Sequence, residues 1–101
     1  AQSPDITALF AQNDRMAMGA YDALHKLGLS IPQDVAVVGY DNQEIIAANL
    51  YPALTTMALP HYQMGYWAME ELLRLSAADE PWLASPRQHK MTCPLVWRDS
   101  V

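Results

Sequence analysis

The sequence is poor in the residues that most often announce a chemistry. It has one cysteine, Cys93, in 101 residues, so no internal disulfide can form. A lone thiol of this kind is expected to be a buried, inert packing group in a reducing compartment. The four glycines, Gly19, Gly28, Gly39 and Gly65, stand apart, and isolated glycines cannot build a phosphate-cradling loop. None of Ser3, Ser30, Ser76, Ser85 and Ser100 lies in a nucleophile elbow. His25, His61 and His89 lack metal-ligand spacing. Only six lysines and arginines, widely scattered, stand against eleven acidic residues, for a net charge of −5. Such a chain has no basic patch with which to grip nucleic acid by itself. No apolar run approaches the roughly 20 residues of a membrane span, and no charged-then-apolar leader opens the chain. Asp14 and Asp41 could in principle share acid–base work, but no nucleophile is placed beside them. An enzyme, a cofactor and a metal are therefore not expected.

What the sequence does have is apolar material, 51% of residues against 17% charged. That share is too high for a disordered chain. In one small domain it also suggests apolar surface reserved for a partner. "ITALFAQ" (6–12) predicts a buried strand. From Arg15 to Leu27 the apolar residues keep helical spacing, with Ala17, Ala20, Leu24 and Leu27 on one stripe. Gly28 suits the left-handed residue that ends a helix, and Pro32 forbids an immediate restart. "DVAVVGYD" (34–41) is apolar on both parities, the pattern of a strand covered on both faces in a parallel sheet. Strand, helix and strand in this order make a βαβ unit, expected to cross over right-handed.

Residues 42–53 predict a short helix ended at Tyr51-Pro52, and "LTTMAL" (54–59) predicts a third strand. Pro60 then opens a helix over 61–76, with Met64, Ala68, Leu72 and Leu75 inward and Glu70, Glu71 and Arg74 on the wet side. Residues 76–87 predict a surface loop, and the tail a last extended segment broken at Pro94. The fold class is α/β. The first strand reads as central although it begins at residue 6, so neighbouring strands are expected from elsewhere, in a larger protein.

Two strands end in polar pairs, Asn13-Asp14 and Asp41-Asn42. In an open parallel sheet both pairs project over one edge, where ligands bind. An amide offers donors and an acceptor and a carboxylate offers acceptors, a set suited to a ligand with several hydroxyls or ring N–H groups. Helix capping is the plainer use of the same residues. From spacing alone both readings stand. Met18 shares a helix face with Arg15, Asp22 and His25, which is either solvent surface or a subunit contact.

Four runs, N-D-x-M-A-x-G, I-P-x-D-V-x-V-V-G-Y-D, P-x-L-T-T and a closing L-V-x-R-x-S, together resemble the C-terminal part of a lactose-repressor/galactose-repressor (LacI/GalR) transcription regulator. The resemblance covers nearly the whole chain and is weakest over 76–88. It implies part of a periplasmic-binding-protein-like subdomain, a parallel sheet with flanking helices, left incomplete by this chain. Residues 1–101 would be the C-terminal portion of the effector-binding and dimerisation domain. The DNA-binding domain and the N-terminal subdomain lie outside it. The resemblance further implies a cytoplasmic repressor that responds to a small-molecule effector such as a sugar, acts as a homodimer, and meets operator DNA only through the missing helix-turn-helix. Residue by residue, Asn13 and Asp41 would bond the effector and Asp14 would be the helix cap. Met18, Asp22, Leu50 and Tyr51 would lie at the dimer contact. A periplasmic sugar-binding protein of a transport system shares this fold and is the alternative. P-x-L-T-T with L-V-x-R-x-S favours the regulator.

Overall fold

The computed structural model describes residues 5–77 and 87–101. Along the chain run β1 (Ala8–Phe10), α1 (Asp14–Lys26), β2 (Ala36–Asp41), α2 (Glu44–Ala47), β3 (Thr55–Ala58), α3 (His61–Ala77) and β4 (Leu95–Val96). The sheet order is β1-β2-β3-β4. The first three strands are parallel, with Leu9 level with Val37 and Gly39 level with Thr56, and β4 returns antiparallel beside β3. The sheet is therefore mixed, its parallel part being the βαβ unit that the apolar runs predict. The chain divides into two units, Ala1–Leu59 with Pro94–Val101, and Pro60–Cys93.

In the first unit, α1 begins where Asn13 leaves the extended region and its Oδ1 accepts from Met16 N at 2.8 Å. That bond satisfies one of the orphan donors of the first turn. The helix stops at Gly28, whose φ of +73° costs a residue without Cβ nothing. Its buried face carries Asp14, Ala17 and Tyr21. Tyr21 was not on the predicted stripe, yet its ring is buried and its hydroxyl donates to Pro52 O at 2.8 Å. Burial pushes its phenol pKa up. Leu27, which was on that stripe, is 62% exposed, because it is the C-cap and the helix has ended.

Val37 and Leu54 are fully buried and with Ala11, Ala17, Tyr21, Ile31, Val35 and Ala47 form the core. Each large aliphatic side chain there contributes on the order of 2 kcal/mol. Two expectations are corrected here. Among the described residues the first strand is the sheet's edge, and this chain alone does not bury it: Phe10 is 61% exposed and Ile6 and Leu9 are exposed too. In β2, Val37 and Gly39 are buried while Ala36, Val38 and Tyr40 are half-buried, so one face is covered well and the other partly. An apolar run reports which positions tolerate burial; it does not report whether a neighbour is present to bury them.

In the second unit, α3 opens at His61 as predicted from Pro60, and Met64 N donates to Pro60 O at 2.9 Å. None of its side chains is fully buried: of the predicted inward stripe, Met64, Ala68 and Leu72 are exposed and Leu75 is half-buried. Glu71, predicted on the wet side, is the shielded residue: its side chain is 11% exposed, held between Arg74 and Arg87. These guanidinium partners lower its carboxyl pKa, the hydrogen bond to Arg74 first. Trp67 stacks on His89 with centroids 5.3 Å apart. Cys93 is half-buried, not buried. The loop expected over 76–87 falls largely on 78–86, outside the described residues. Among the described residues no helix is long and apolar enough to cross a membrane.

Candidate functional site

Because β1, β2 and β3 run parallel, their carboxyl ends share one edge, and the links leaving them carry the candidate residues. β1 leads through Ala11 and Gln12 into Asn13-Asp14; β2 ends on Asp41 and continues into Asn42 and Gln43. The two polar pairs are joined through Gln43, which donates its N–H to Asp14 and its Nε2 to Asp41. Asp14 is fully buried and its carboxylate accepts twice, Oδ1 from Thr56 Oγ1 at 2.7 Å and Oδ2 from Gln43 N at 2.7 Å. To reach β3 from α1 it must cross β2, and it does so over Gly39. A Cβ at position 39 would meet Asp14 Oδ1, and would lie 2.8 Å from Leu54 Cδ2. Three of the sequence runs are thus one object: the Asp of N-D, the Gly of V-G-Y-D and the second Thr of L-T-T.

This geometry corrects the expected cap. The cap is Asn13, and Asp14 is the fastener between helix and sheet. The physical reason is depth: an N-cap side chain folds back on its own helix, while the next residue starts the buried face. Asn13 is half-buried, and capping occupies its Oδ1 but asks nothing of its Nδ2 donors.

The turn holding Asp41 is unusual. Asp41 has φ +120° and Asn42 φ +57°, regions that residues with a Cβ rarely enter and that functional sites often use. Four contacts hold the turn. Gln43 N reaches Asp14, Gln43 Nε2 donates to Asp41 Oδ2, Leu59 N donates to Asp41 O at 3.2 Å, and Arg98 Nη2 donates to Asn42 Oδ1 at 2.8 Å. Arg98 also donates through Nη1 to Leu54 O and through its backbone N to Thr55 Oγ1. Two residues on, buried Ser100 Oγ donates to Val37 O and accepts from Thr55 N. Thr56, Gln43, Arg98 and Ser100 were not singled out from the sequence. The available signal was the joint occurrence of L-T-T and R-x-S, which the structure ties together hydrogen bond by hydrogen bond.

The residues expected at a dimer contact divide. Met18 is 45% exposed, and Asp22 pairs with Lys26 at 2.8 Å on the same exposed helix. Tyr51 is 88% exposed, whereas Leu50 is half-buried against the core. A concavity of about 860 Å³ lies near Tyr51, lined by His25, Ile31, Gln33, Pro52 and Asp99 among others. Its walls come from the loops that lead into β2 and β3, so it sits at the amino ends of those strands, away from the rim that carries Asn13 and Asp41. Among the described residues no group of three or more His, Cys, Asp or Glu is placed to hold a metal ion.

Residues 1–101 match the periplasmic binding protein-like domain. The chain belongs to that family. The ribose operon repressor of Haemophilus influenzae is 44% identical over 73 residues, covering 72% of this chain and 22% of the repressor. The HTH-type transcriptional repressor PurR of Vibrio vulnificus is 42% identical over 95 residues, covering 94% of this chain and 27% of that protein. The crystal structure of a LacI family transcriptional regulator from Enterococcus faecalis V583 with bound ribose matches with a TM-score of 0.79 at 31% identity, over 98% of this chain and 38% of that one. The chain therefore spans between about a fifth and two fifths of the length of these relatives. The LacI/GalR resemblance seen in the four sequence runs is borne out, as is the periplasmic-binding-protein-like α/β fold.

Proposed function

We propose that this chain is the sensing part of a sugar-responsive transcriptional repressor. The effector is held by Asn13 and Asp41 on one cleft wall and by a second subdomain, outside this chain, on the other. Support comes from the shared edge: the links that leave parallel β1 and β2 carry an amide and a carboxylate, and a ribose-bound relative has the same fold. The effector bonds one cleft closure better than the other and so shifts the protein between operator-competent and incompetent states. Operator DNA is met by a domain beyond these residues, the protein works in the cytoplasm, and it performs no catalysis. The relatives are repressors, which favours this reading over a binding protein of a transport system.

Asp41→Ala in the full-length protein decides the assignment. Removing an ionised acceptor from a ligand hydroxyl costs roughly ten- to a hundredfold in affinity. Calorimetric titration with D-ribose, sucrose and D-xylulose is expected to show that loss for whichever sugar wild type binds, with operator affinity unchanged. Effector affinity equal to wild type removes Asp41 from the site.

The same reading places the second copy of a homodimer against Met18, Asp22 and Tyr51, the exposed members of the expected set. Met18→Lys brings like charges together across a two-fold axis. Sedimentation is expected to show the dimer dissociation constant raised at least about tenfold. A variant that stays as dimeric as wild type moves the contact elsewhere.

A further inference from the structure

Arg98 belongs to the closing L-V-x-R-x-S run, in the last described segment of the chain, yet its guanidinium reaches forward to the rim. We propose that Arg98 is a positioning residue for the effector site: through Asn42 it holds the 41–43 turn in the backbone conformation that presents Asp41. The inference rests on Asp41 being an effector ligand, as proposed above.

The argument starts from strain. Asn42, at φ +57°, occupies the left-handed region that asparagine enters more readily than most. A φ of +120° at Asp41 is unfavourable for a residue with a Cβ and persists only where surrounding contacts over-determine it. Two anchors do so from opposite sides. From α1, the buried Asp14 carboxylate fixes Gln43 N at 2.7 Å. From the tail, Arg98 Nη2 fixes the Asn42 side chain at 2.8 Å. Asp41 lies beside the second anchor and two residues from the first, so losing either lets the peptide planes on which its carboxylate rides turn.

Arg98 is suited to the task because it is itself immobilised. Its backbone N donates to Thr55 Oγ1 at 2.8 Å, and Nη1 donates to Leu54 O at 2.9 Å, so the first residue of β3 holds its main chain and the residue before β3 holds its guanidinium. The planar fork makes the two guanidinium bonds at a fixed angle, which a lysine cannot do. Its acceptors, a carbonyl and a side-chain amide, are neutral, so the contacts fix geometry without cancelling a charge. A purely structural role for Arg98 is already met by Leu54 and Thr55; the bond to Asn42 adds nothing to the sheet. It adds order to the turn.

The test uses the full-length protein with Arg98→Gln, Asn42→Gly and the two combined. Glycine at 42 removes the acceptor but accepts φ +57° without strain, so it separates loss of the contact from loss of the fold. Peptide-level hydrogen exchange is read over 41–43 and at Leu59, whose N–H bonds Asp41 O, with the 37–39 segment as the internal control. Affinity is titrated with D-ribose, sucrose and D-xylulose. Each single variant is expected to speed exchange over 41–43 while leaving 37–39 protected. Each is also expected to weaken binding of the sugar that wild type takes by about tenfold, and the double variant by no more than either alone, since one contact is being broken twice. Wild-type exchange over 41–43 in Arg98→Gln, or losses that multiply in the double variant, overturns the proposal. If Arg98→Gln loses protection throughout, Asn42→Gly alone decides by the same two readouts. Should wild type take none of the three sugars, those three are excluded as effectors, while exchange over 41–43 still decides whether Arg98 sets the turn.

Discussion

Asp14→Ala is expected to destabilise the full-length protein by about 3–5 kcal/mol. The substitution removes an ionised acceptor from two donors, Thr56 Oγ1 and Gln43 N. A hydrogen bond to a charged group contributes roughly 1.5–3 kcal/mol, and a buried donor left without a partner loses its hydration as well. Asp14→Asn is expected to cost less, about 1–2 kcal/mol. Its Oδ1 can serve Gln43 N while Nδ2 turns to Thr56, whose hydroxyl rotates to accept. Urea unfolding with an unchanged slope gives both values. Equal costs for Ala and Asn sink the idea that the carboxylate fastens helix to sheet through these two donors.

Gly39→Ala carries the second large effect, about 3 kcal/mol for a single methyl group. The added Cβ would stand 2.8 Å from Leu54 Cδ2 and 3.3 Å from Thr56 Oγ1, and against Asp14 Oδ1. None of these can yield cheaply. Leu54 is fully buried, and Asp14 and Thr56 are bonded to each other. Part of the clash is relieved by breaking the fastener, so the two substitutions are coupled. In the Asp14→Ala background the contact with the carboxylate is gone while that with Leu54 Cδ2 stays, and Gly39→Ala is expected to cost about 1 kcal/mol less than in wild type. A double-mutant cycle measures this, and strict additivity would show that the Asp14 carboxylate is not what glycine makes room for.

These two residues mark where the sequence was readable and where it was not. Strand, helix and strand were legible because apolar run lengths and the punctuation at Gly28 and Pro32 are local facts. That the links carrying Asn13 and Asp41 would leave the sheet at one edge followed from parallel topology alone. Which of Asn13 and Asp14 caps was not legible, because both side chains can do it. The choice is made by Gly39 and Thr56, which are distant in sequence and adjacent in space. Arg98 entered only as the arginine of L-V-x-R-x-S, since no periodicity reveals that its fork spans Leu54 and Asn42. The exposure of Phe10 and of the α3 stripe was hidden for another reason. Periodicity describes a surface's chemistry, and coverage depends on what lies against it.

Asp14 grips position 43 by its main-chain N–H, a group that every residue except proline supplies. The side chain there, like that of Gln12 in the link after β1, takes no part in nailing the helix down. Any residue but proline at position 43 therefore leaves the fastener in place, while the bond from Gln43 Nε2 to Asp41 changes with the side chain that stands there.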